Sequence, residues 1–136
     1  MKIYTSYFGN SKKLAQANIK MISISRYKPK FFYGCELKTV APTSKILFGN
    51  LSTYEYEKRY RRDVLNWVNA KEFLRMIESV SNGNDVALCC YEKPEDFCHR
   101  HILAEWIKEE TGLEIKEFGL EPVKEIKPQA EQLSLF

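Results

Sequence analysis

The feature that most constrains the fold is an apolar run that leads through a turn into a helix. The run over residues 86–90 reads VALCC, and such continuous apolar character is typical of a strand buried on both faces of a parallel sheet. Pro94 then indicates a turn, and the residues that follow predict a helix over about 96–111 that stops at Gly112. A buried strand that passes directly into a helix predicts an α/β fold.

The rest of the chain continues this alternation of strands and helices. Capping signals set two of the helix starts, Ser52 with Glu55 and Asn69 with Glu72. The predicted order is a strand (residues 2–7), a helix capped at Asn10 or Ser11 (to about 19), a strand (21–26), an irregular excursion (27–50), helices from residues 52 and 69, a strand (85–91), the helix from about 96 and a final strand (113–118). The prediction is a single three-layer α/β domain over residues 1–120, with a mostly parallel sheet flanked by helices.

The composition of the chain indicates what class of protein it is, but not its function. With 136 residues, of which 44% are hydrophobic, the chain fits one globular domain, and its net charge of +3 does not by itself indicate a nucleic-acid partner. No stretch approaches the roughly 20 apolar residues that span a bilayer, and no signal-peptide pattern begins the chain. We therefore expect a cytoplasmic protein without a membrane partner. Cys89 and Cys90 are adjacent and point to opposite strand faces, so we expect reduced thiols.

Reactive side chains gather where the predicted last helix begins. With Asp96 as N-cap, Cys98, His99 and Arg100 all lie in the first turn, where free backbone amides and the helix dipole favour anions and lower the pKa of a thiol. Cys98 is the candidate nucleophile and His99 the candidate proton carrier. Glu92 is the candidate orienter, because it lies close enough in sequence to hold Arg100 or His99.

The remaining site candidates follow from the edge of a parallel sheet where ligands bind, beyond the carboxyl ends of its strands. Arg100 and Lys93 are candidate anion or nucleotide ligands at that edge. Tyr7 and Arg26 join them, because each lies at the end of a predicted strand.

Three chemistries remain open at this site, beside a purely structural role in packing and salt bridging. The first is nucleophilic catalysis by Cys98. The second is a metal bound by Cys90, Cys98 and His99, which we do not assign because Cys89 and Cys90 cannot both face one ion; the cofactor stays unknown. The third is binding of a phosphate by Arg100, Lys93 and His99 without covalent chemistry.

The string ALCCYEKPEDFCHRHILAEWI resembles the signature of domain-of-unknown-function family 488 of bacteria and phages. In that family a strand is followed by Cys-x-Glu-Lys and then by Cys-His-Arg at the start of a helix. The matching residues are Cys90, Glu92, Lys93, Cys98, His99 and Arg100, with weaker matches at residues 3–5, at Arg26 and Pro29, and at residues 41–44. The resemblance spans roughly residues 1–120 and implies a functional site, but no particular reaction.

The end of the chain carries a second motif. Residues 121–131 are charged and punctuated by proline, which predicts a flexible tail. The final pentapeptide resembles the bacterial sliding-clamp-binding motif, with Leu135 and Phe136 expected to fill an apolar pocket, Leu133 assisting and Gln132 fixing the register. The alternative is that these apolar residues fold back onto their own domain.

A basic and aromatic cluster lies on the helix that begins at Ser52. Tyr56 and Tyr60 share one helix face, and the cationic residues spread over the remainder are Lys58, Arg59, Arg61 and Arg62. Cations with interleaved tyrosines suit phosphates and bases, although a solvated helix face is the alternative. With the tail motif, this cluster favours DNA or a nucleotide as partner. The chain is thus predicted to act in bacterial or phage DNA metabolism, with a non-enzymatic adaptor for DNA and the clamp as the rival hypothesis.

Overall fold

The structure, a computed structural model, describes residues 1–119. Its strands are β1 (Ile3–Tyr7), β2 (Ile19–Ser23), β3 (Cys35–Glu36), β4 (Asp85–Cys90) and β5 (Lys116–Glu117). Its helices are α1 (Ser11–Gln16), α2 (Ser44–Leu47), α3 (Thr53–Asp63), α4 (Ala70–Ser81) and α5 (His99–Thr111). The strands form one sheet in the order β3-β2-β4-β1-β5, and every pair is parallel. The predicted α/β domain with a mostly parallel sheet is confirmed.

The two faces of the sheet bury different clusters, which produces the three layers. Side chains alternate along a strand, so Val86 and Leu88 of β4 enter the larger cluster under α3, α4 and α5. Ala87 and Cys89 point the other way, into the smaller cluster with Leu14 of α1. The central strand β4 is buried on both faces, as its apolar run predicts.

Local capping chemistry sets the helix starts that the sequence predicts. The Ser52 hydroxyl accepts a hydrogen bond from the amide of Glu55 at 3.1 Å, and the Asn69 side chain accepts one from the amide of Glu72 at 3.0 Å. Each bond satisfies an amide that has no partner inside its helix. At the other end of α4, Asn82 adopts a left-handed conformation, which agrees with the helix end that the Asn82-Gly83 pair predicts.

Several predicted boundaries are wrong. Helix α1 ends at Gln16 rather than near residue 19, and β2 begins at Ile19 rather than 21, because Asn18 turns the chain with a φ of 59°. The helical spacing of Tyr56, Tyr60, Val64 and Trp67 predicts one apolar stripe, but α3 ends at Asp63 and a short 3₁₀ turn follows, so Trp67 leaves the stripe and is 83% exposed. Strand β5 covers two residues instead of the predicted 113–118.

The segment after β2 is largely irregular, and the end of the chain lies outside the described residues. The excursion after β2 contains the short β3 and α2 and a 3₁₀ turn (Lys38–Val40), which agrees with the irregular segment predicted for residues 27–50. Within residues 1–119, no helix is both long enough and apolar enough to cross a membrane. The tail motif (Gln132, Leu133, Leu135 and Phe136) lies outside the described residues.

Candidate active site

Three strands end side by side and open a cavity at the carboxyl edge of the sheet. Tyr7 of β1 is the register partner of Cys90, and Ser23 of β2 is the partner of Cys89. The cavity has a volume of about 250 Å³, and its lining includes Cys90, Cys98 and His99. Its aromatic lining residues are Tyr27, Tyr56, Tyr91 and Phe97. The predicted edge is therefore where the reactive side chains meet a cavity.

Helix α5 begins at His99, three residues later than predicted. Asp96 is exposed in the preceding turn, and Cys98 has extended backbone angles (φ −153°, ψ 148°), so Cys98 rather than Asp96 is the N-cap residue. His99 and Arg100 are the first two helical residues. All three side chains are buried, with exposures of 3%, 5% and 0%. The predicted cluster at the helix start exists, but it points into the domain.

His99 is held as a neutral base beside Cys98. Its Nε2 lies 2.8 Å from the carbonyl oxygen of Ile24, and a carbonyl only accepts, so Nε2 carries the proton and donates it. Nδ1 is then the nitrogen with a free lone pair, and it lies 3.7 Å from Sγ of Cys98. Burial lowers the pKa of His99 to about 4, which keeps the ring neutral at physiological pH. The edge-on ring of Tyr60, 5.5 Å away between centroids, packs against it.

Arg100 is bound within the domain and does not reach the cavity. Its Nε and Nη2 donate to the two carboxylate oxygens of Glu117 at 3.1 and 3.0 Å, and Nη1 donates to Sγ of Cys90 at 2.9 Å. Thr5 donates to the same carboxylate at 2.7 Å. The expectation that Arg100 pairs with Glu92 is wrong: Glu92 is exposed at the cavity wall, and Glu117 takes the pairing role because β5 sets it beside Thr5 in β1.

A disulfide bond joins Cys90 and Cys98, so the expectation of reduced thiols is wrong for this pair. Their Cα atoms are 7.6 Å apart, beyond the roughly 4.4–6.8 Å usual for disulfides, so the same backbone also suits two separate thiols. Cys35 and Cys89 are free. Burial raises the pKa of Cys89 to about 12, which keeps it a thiol on the opposite face of β4. Reactive sulfur chemistry therefore belongs to Cys90 and Cys98.

In the reduced pair, each sulfur has a different neighbour. The guanidinium of Arg100 contacts Cys90, and a cation beside a sulfur favours its thiolate. The lone pair of His99 faces Cys98 and can accept its proton. The arrangement can supply a nucleophile at Cys98 and a second, stabilised thiolate at Cys90.

The same residues could hold a metal ion. The ligand atoms of Cys90, Cys98 and His99 all lie within 4.8 Å of one another, and thiolate with imidazole is a donor set that suits zinc. The hydrogen bond from His99 to Ile24 is the kind of outer contact that orients a metal-bound imidazole. Cys89 takes no part, as the sequence predicts, but Cys98 and His99 complete a set of three without it.

Of the other predicted ligands Arg26, Lys93 and Tyr7, the cavity lining includes Arg26. Arg26 lines the cavity and donates from Nε to the Ser44 hydroxyl at 2.9 Å. Lys93 is exposed on the loop between β4 and α5. Tyr7 is half-buried at the end of β1. Arg26 is thus brought to the site, whereas Lys93 and Tyr7 do not line its cavity as the structure describes it.

The basic cluster on α3 is largely paired with carboxylates. The ion pairs are Arg59 with Glu55, Arg61 with Glu57, Glu105 and Glu109, and Arg62 with Asp63, at N–O distances of 2.7–3.2 Å. Among the described residues, only Lys58 of the four predicted nucleic-acid ligands has no such partner. Nucleic-acid binding by α3 stays a prediction, and these carboxylates offset much of the charge on which it depends.

Sequence reasoning missed three residues that build the site. Glu117 neutralises Arg100, Thr5 orients Glu117, and Tyr60 packs on His99 while its hydroxyl donates to the carbonyl of Val40 at 2.6 Å. One sequence signal could have identified Glu117. A carboxylate in a predicted strand of a buried parallel sheet requires a cationic partner, and Arg100 is a cation nearby in sequence.

Comparison with known proteins gives one match. A family model described as DUF488-N3a, the active DUF488-N3 subclade, matches residues 11–111. This range contains Cys90, Cys98, His99 and Arg100. No curated protein and no solved structure matches the chain.

Proposed function

The chain belongs to the DUF488 family, and on that premise we propose that it is a cysteine-dependent enzyme that acts on a nucleotide or nucleic acid in the cavity above Cys98. The observation that carries the proposal is the lone pair of His99 Nδ1 directed at Cys98 Sγ, in a cavity that both residues line. A thiol becomes a nucleophile only as thiolate, and this base is fixed in place by Ile24.

The proposed step begins with the reduced enzyme. Sγ of Cys98 forms a bond to an electrophilic carbon or phosphorus of the substrate while its proton passes to Nδ1 of His99 in the same step. The bond from that atom to the leaving group breaks, and the leaving group takes the proton from His99. Water then adds to the same atom, releases Cys98 as a thiol and completes a hydrolysis with no net oxidation.

The disulfide between Cys90 and Cys98 is the inactive form in this proposal. A dithiol reductant attacks Sγ of Cys98 from the cavity, Cys90 leaves as a thiolate, and the reductant becomes a disulfide. The guanidinium of Arg100, 2.9 Å from Sγ of Cys90, stabilises that leaving thiolate. The role of Arg100 is therefore to position and support Cys90 rather than to bind substrate.

Alkylation of the reduced protein by iodoacetamide tests the proposal without knowledge of the substrate. In a Cys90→Ser background, which cannot form the disulfide, we expect Cys98 to react faster than the more exposed Cys35. His99→Gln keeps a donor for Ile24 but removes the base, so it should slow alkylation of Cys98 by at least about tenfold. Peptide mass spectrometry over time measures both rates, with Cys35 as the internal control. A Cys98 that reacts no faster than Cys35 contradicts the proposal.

A metal centre is the second candidate, favoured by the three ligand atoms within 4.8 Å. Cys90, Cys98 and His99 would then be the ligands, and a metal bound by them would supply activation of water for hydrolysis. Elemental analysis of protein purified under reducing conditions without chelators separates the two. One equivalent of zinc that is lost in both Cys98→Ser and His99→Gln would favour the metal centre over covalent catalysis.

The tail motif supports a further part of the proposal, attachment to a replication sliding clamp. Deletion of residues 132–136 should abolish binding to the bacterial clamp, because Leu135 and Phe136 would supply most of the apolar contact. The melting temperature should stay unchanged. Surface plasmon resonance on immobilised clamp and thermal denaturation measure the two, with Glu131→Ala as the matched control. A clear drop in melting temperature would instead indicate that the tail packs on its own domain.

A further inference from the structure

The segment after β2 exposes four aromatic rings, one of which, Tyr27, lines the cavity. Their exposed fractions are 54% for Tyr27, 53% for Phe31, 89% for Tyr33 and 69% for Phe48. We call these four residues the aromatic rim. Large rings exposed together on one segment are typical of an interaction surface, because rings that stay in water contribute no buried area to the stability of the domain.

The same segment carries uncompensated positive charge. Residues 26–48 contain five cationic residues and one acidic residue, Glu36, which pairs with Lys38 at 3.8 Å. The remaining cations are Arg26, Lys28, Lys30 and Lys45. This differs from α3, where carboxylates on α3 and α5 offset the arginines. The segment that carries the rim therefore has a net positive charge, whereas carboxylates offset the cations of the predicted cluster on α3.

Contacts within the domain hold parts of the rim in place. The rings of Tyr27 and Phe48 lie 6.2 Å apart between centroids. Nζ of Lys28 lies 5.4 Å from the centre of the Tyr33 ring and donates to the carbonyl of Phe32 at 2.7 Å. Phe32 is itself buried. Rings and cations are thus arranged before any ligand arrives.

The rim is continuous with the cavity. Arg26 and Tyr27 line it, and so does Leu47, the residue before Phe48. A ligand that stacks on Tyr27 and Phe48 therefore lies at the edge of the cavity that Cys98 lines.

We infer that the aromatic rim binds single-stranded nucleic acid and delivers one base into the cavity at Cys98. Flat exposed rings stack on bases of any sequence, and interleaved cations meet the phosphates. A duplex would hide its base faces from these rings. The cavity, about 250 Å³, has room for one base with aromatic walls around it. The inference rests on the proposed function for the place of chemistry, and it names a single strand as the substrate class.

Fluorescence anisotropy with the full chain tests this inference. The probes are labelled oligothymidylate and oligouridylate of about 12 nucleotides, a length typical of single-strand sites. Tyr27→Ala with Phe48→Ala should weaken binding by at least about tenfold, whereas the double variant Tyr27→Phe with Phe48→Tyr, which keeps both rings, should bind as the wild type does. Trp67→Ala removes a more exposed ring from the turn after α3 and should change nothing.

The outcomes separate the possible partners. Binding of either oligonucleotide that depends on the rim supports the inference, and the tighter of the two identifies DNA or RNA. Absence of binding, an equal loss in Trp67→Ala, or rim-dependent binding only to phosphatidylglycerol vesicles overturns it. If oligonucleotide binding does not depend on the rim but Cys98 is alkylated as expected, the single-strand substrate alone is rejected. If rim-dependent binding is found but Cys98 is unreactive, the proposed catalysis alone is rejected.

Discussion

Cys98→Ser is expected to reduce turnover of single-stranded oligonucleotides by more than about a thousandfold, because a serine hydroxyl beside a neutral imidazole is a far weaker nucleophile than a thiolate. Folding should be unaffected, since serine and cysteine differ by one atom and the position is an N-cap, which serine suits. The measurement is the intact mass of protein and oligonucleotide after incubation with a dithiol reductant. The wild type should show a covalent adduct or a processed strand, and the variant neither.

Cys35→Ser is the matched control for this experiment. Cys35 is a free thiol, partly buried in β3, and takes no part in the cavity, so its replacement should leave turnover intact. A Cys98→Ser protein that turns over oligonucleotides at a rate close to wild type would contradict the nucleophilic role. Loss of activity in both variants would point to a general effect of thiol removal on the fold.

Arg100→Met is expected to destabilise the domain by about 3–5 kcal/mol, because it leaves the carboxylate of Glu117 buried without its cation. The side chains of this pair are 0% and 8% exposed, and the guanidinium also contacts Cys90. For a domain of this size we expect the melting temperature to fall by about 10 °C or more. Thermal and urea denaturation under reducing conditions measure the change.

A second variant separates the loss of the ion pair from the loss of packing. Arg100→Met combined with Glu117→Leu removes both charges and should regain most of the stability, since replacing a whole buried pair by apolar groups is often neutral. Arg62→Ala breaks the exposed pair with Asp63, which solvent screens, and should leave the melting temperature almost unchanged. The importance of the buried pair would be refuted if Arg100→Met were no more harmful than Arg62→Ala.

The elements that the sequence predicts well are those governed by nearby residues. The caps at Ser52 and Asn69 and the stop at Asn82 depend on bonds that span at most a few residues. The apolar run of β4 predicts burial on both faces because every one of its side chains must leave water. Boundaries fail where a single residue changes the chain direction, as Asn18 does before β2.

The sequence predicted the residues at the start of α5 but not their pairings. The sequence alone determined that Cys98, His99 and Arg100 meet the end of a buried strand, because strand and helix are adjacent along the chain. Only the tertiary structure decided that Glu117 rather than Glu92 neutralises Arg100, that Cys90 joins Cys98, and that His99 donates to Ile24, 75 residues away. The physical reason is that a buried charge or polar atom takes whichever partner the packed sheet brings within reach, and that choice depends on strand order rather than on distance along the sequence.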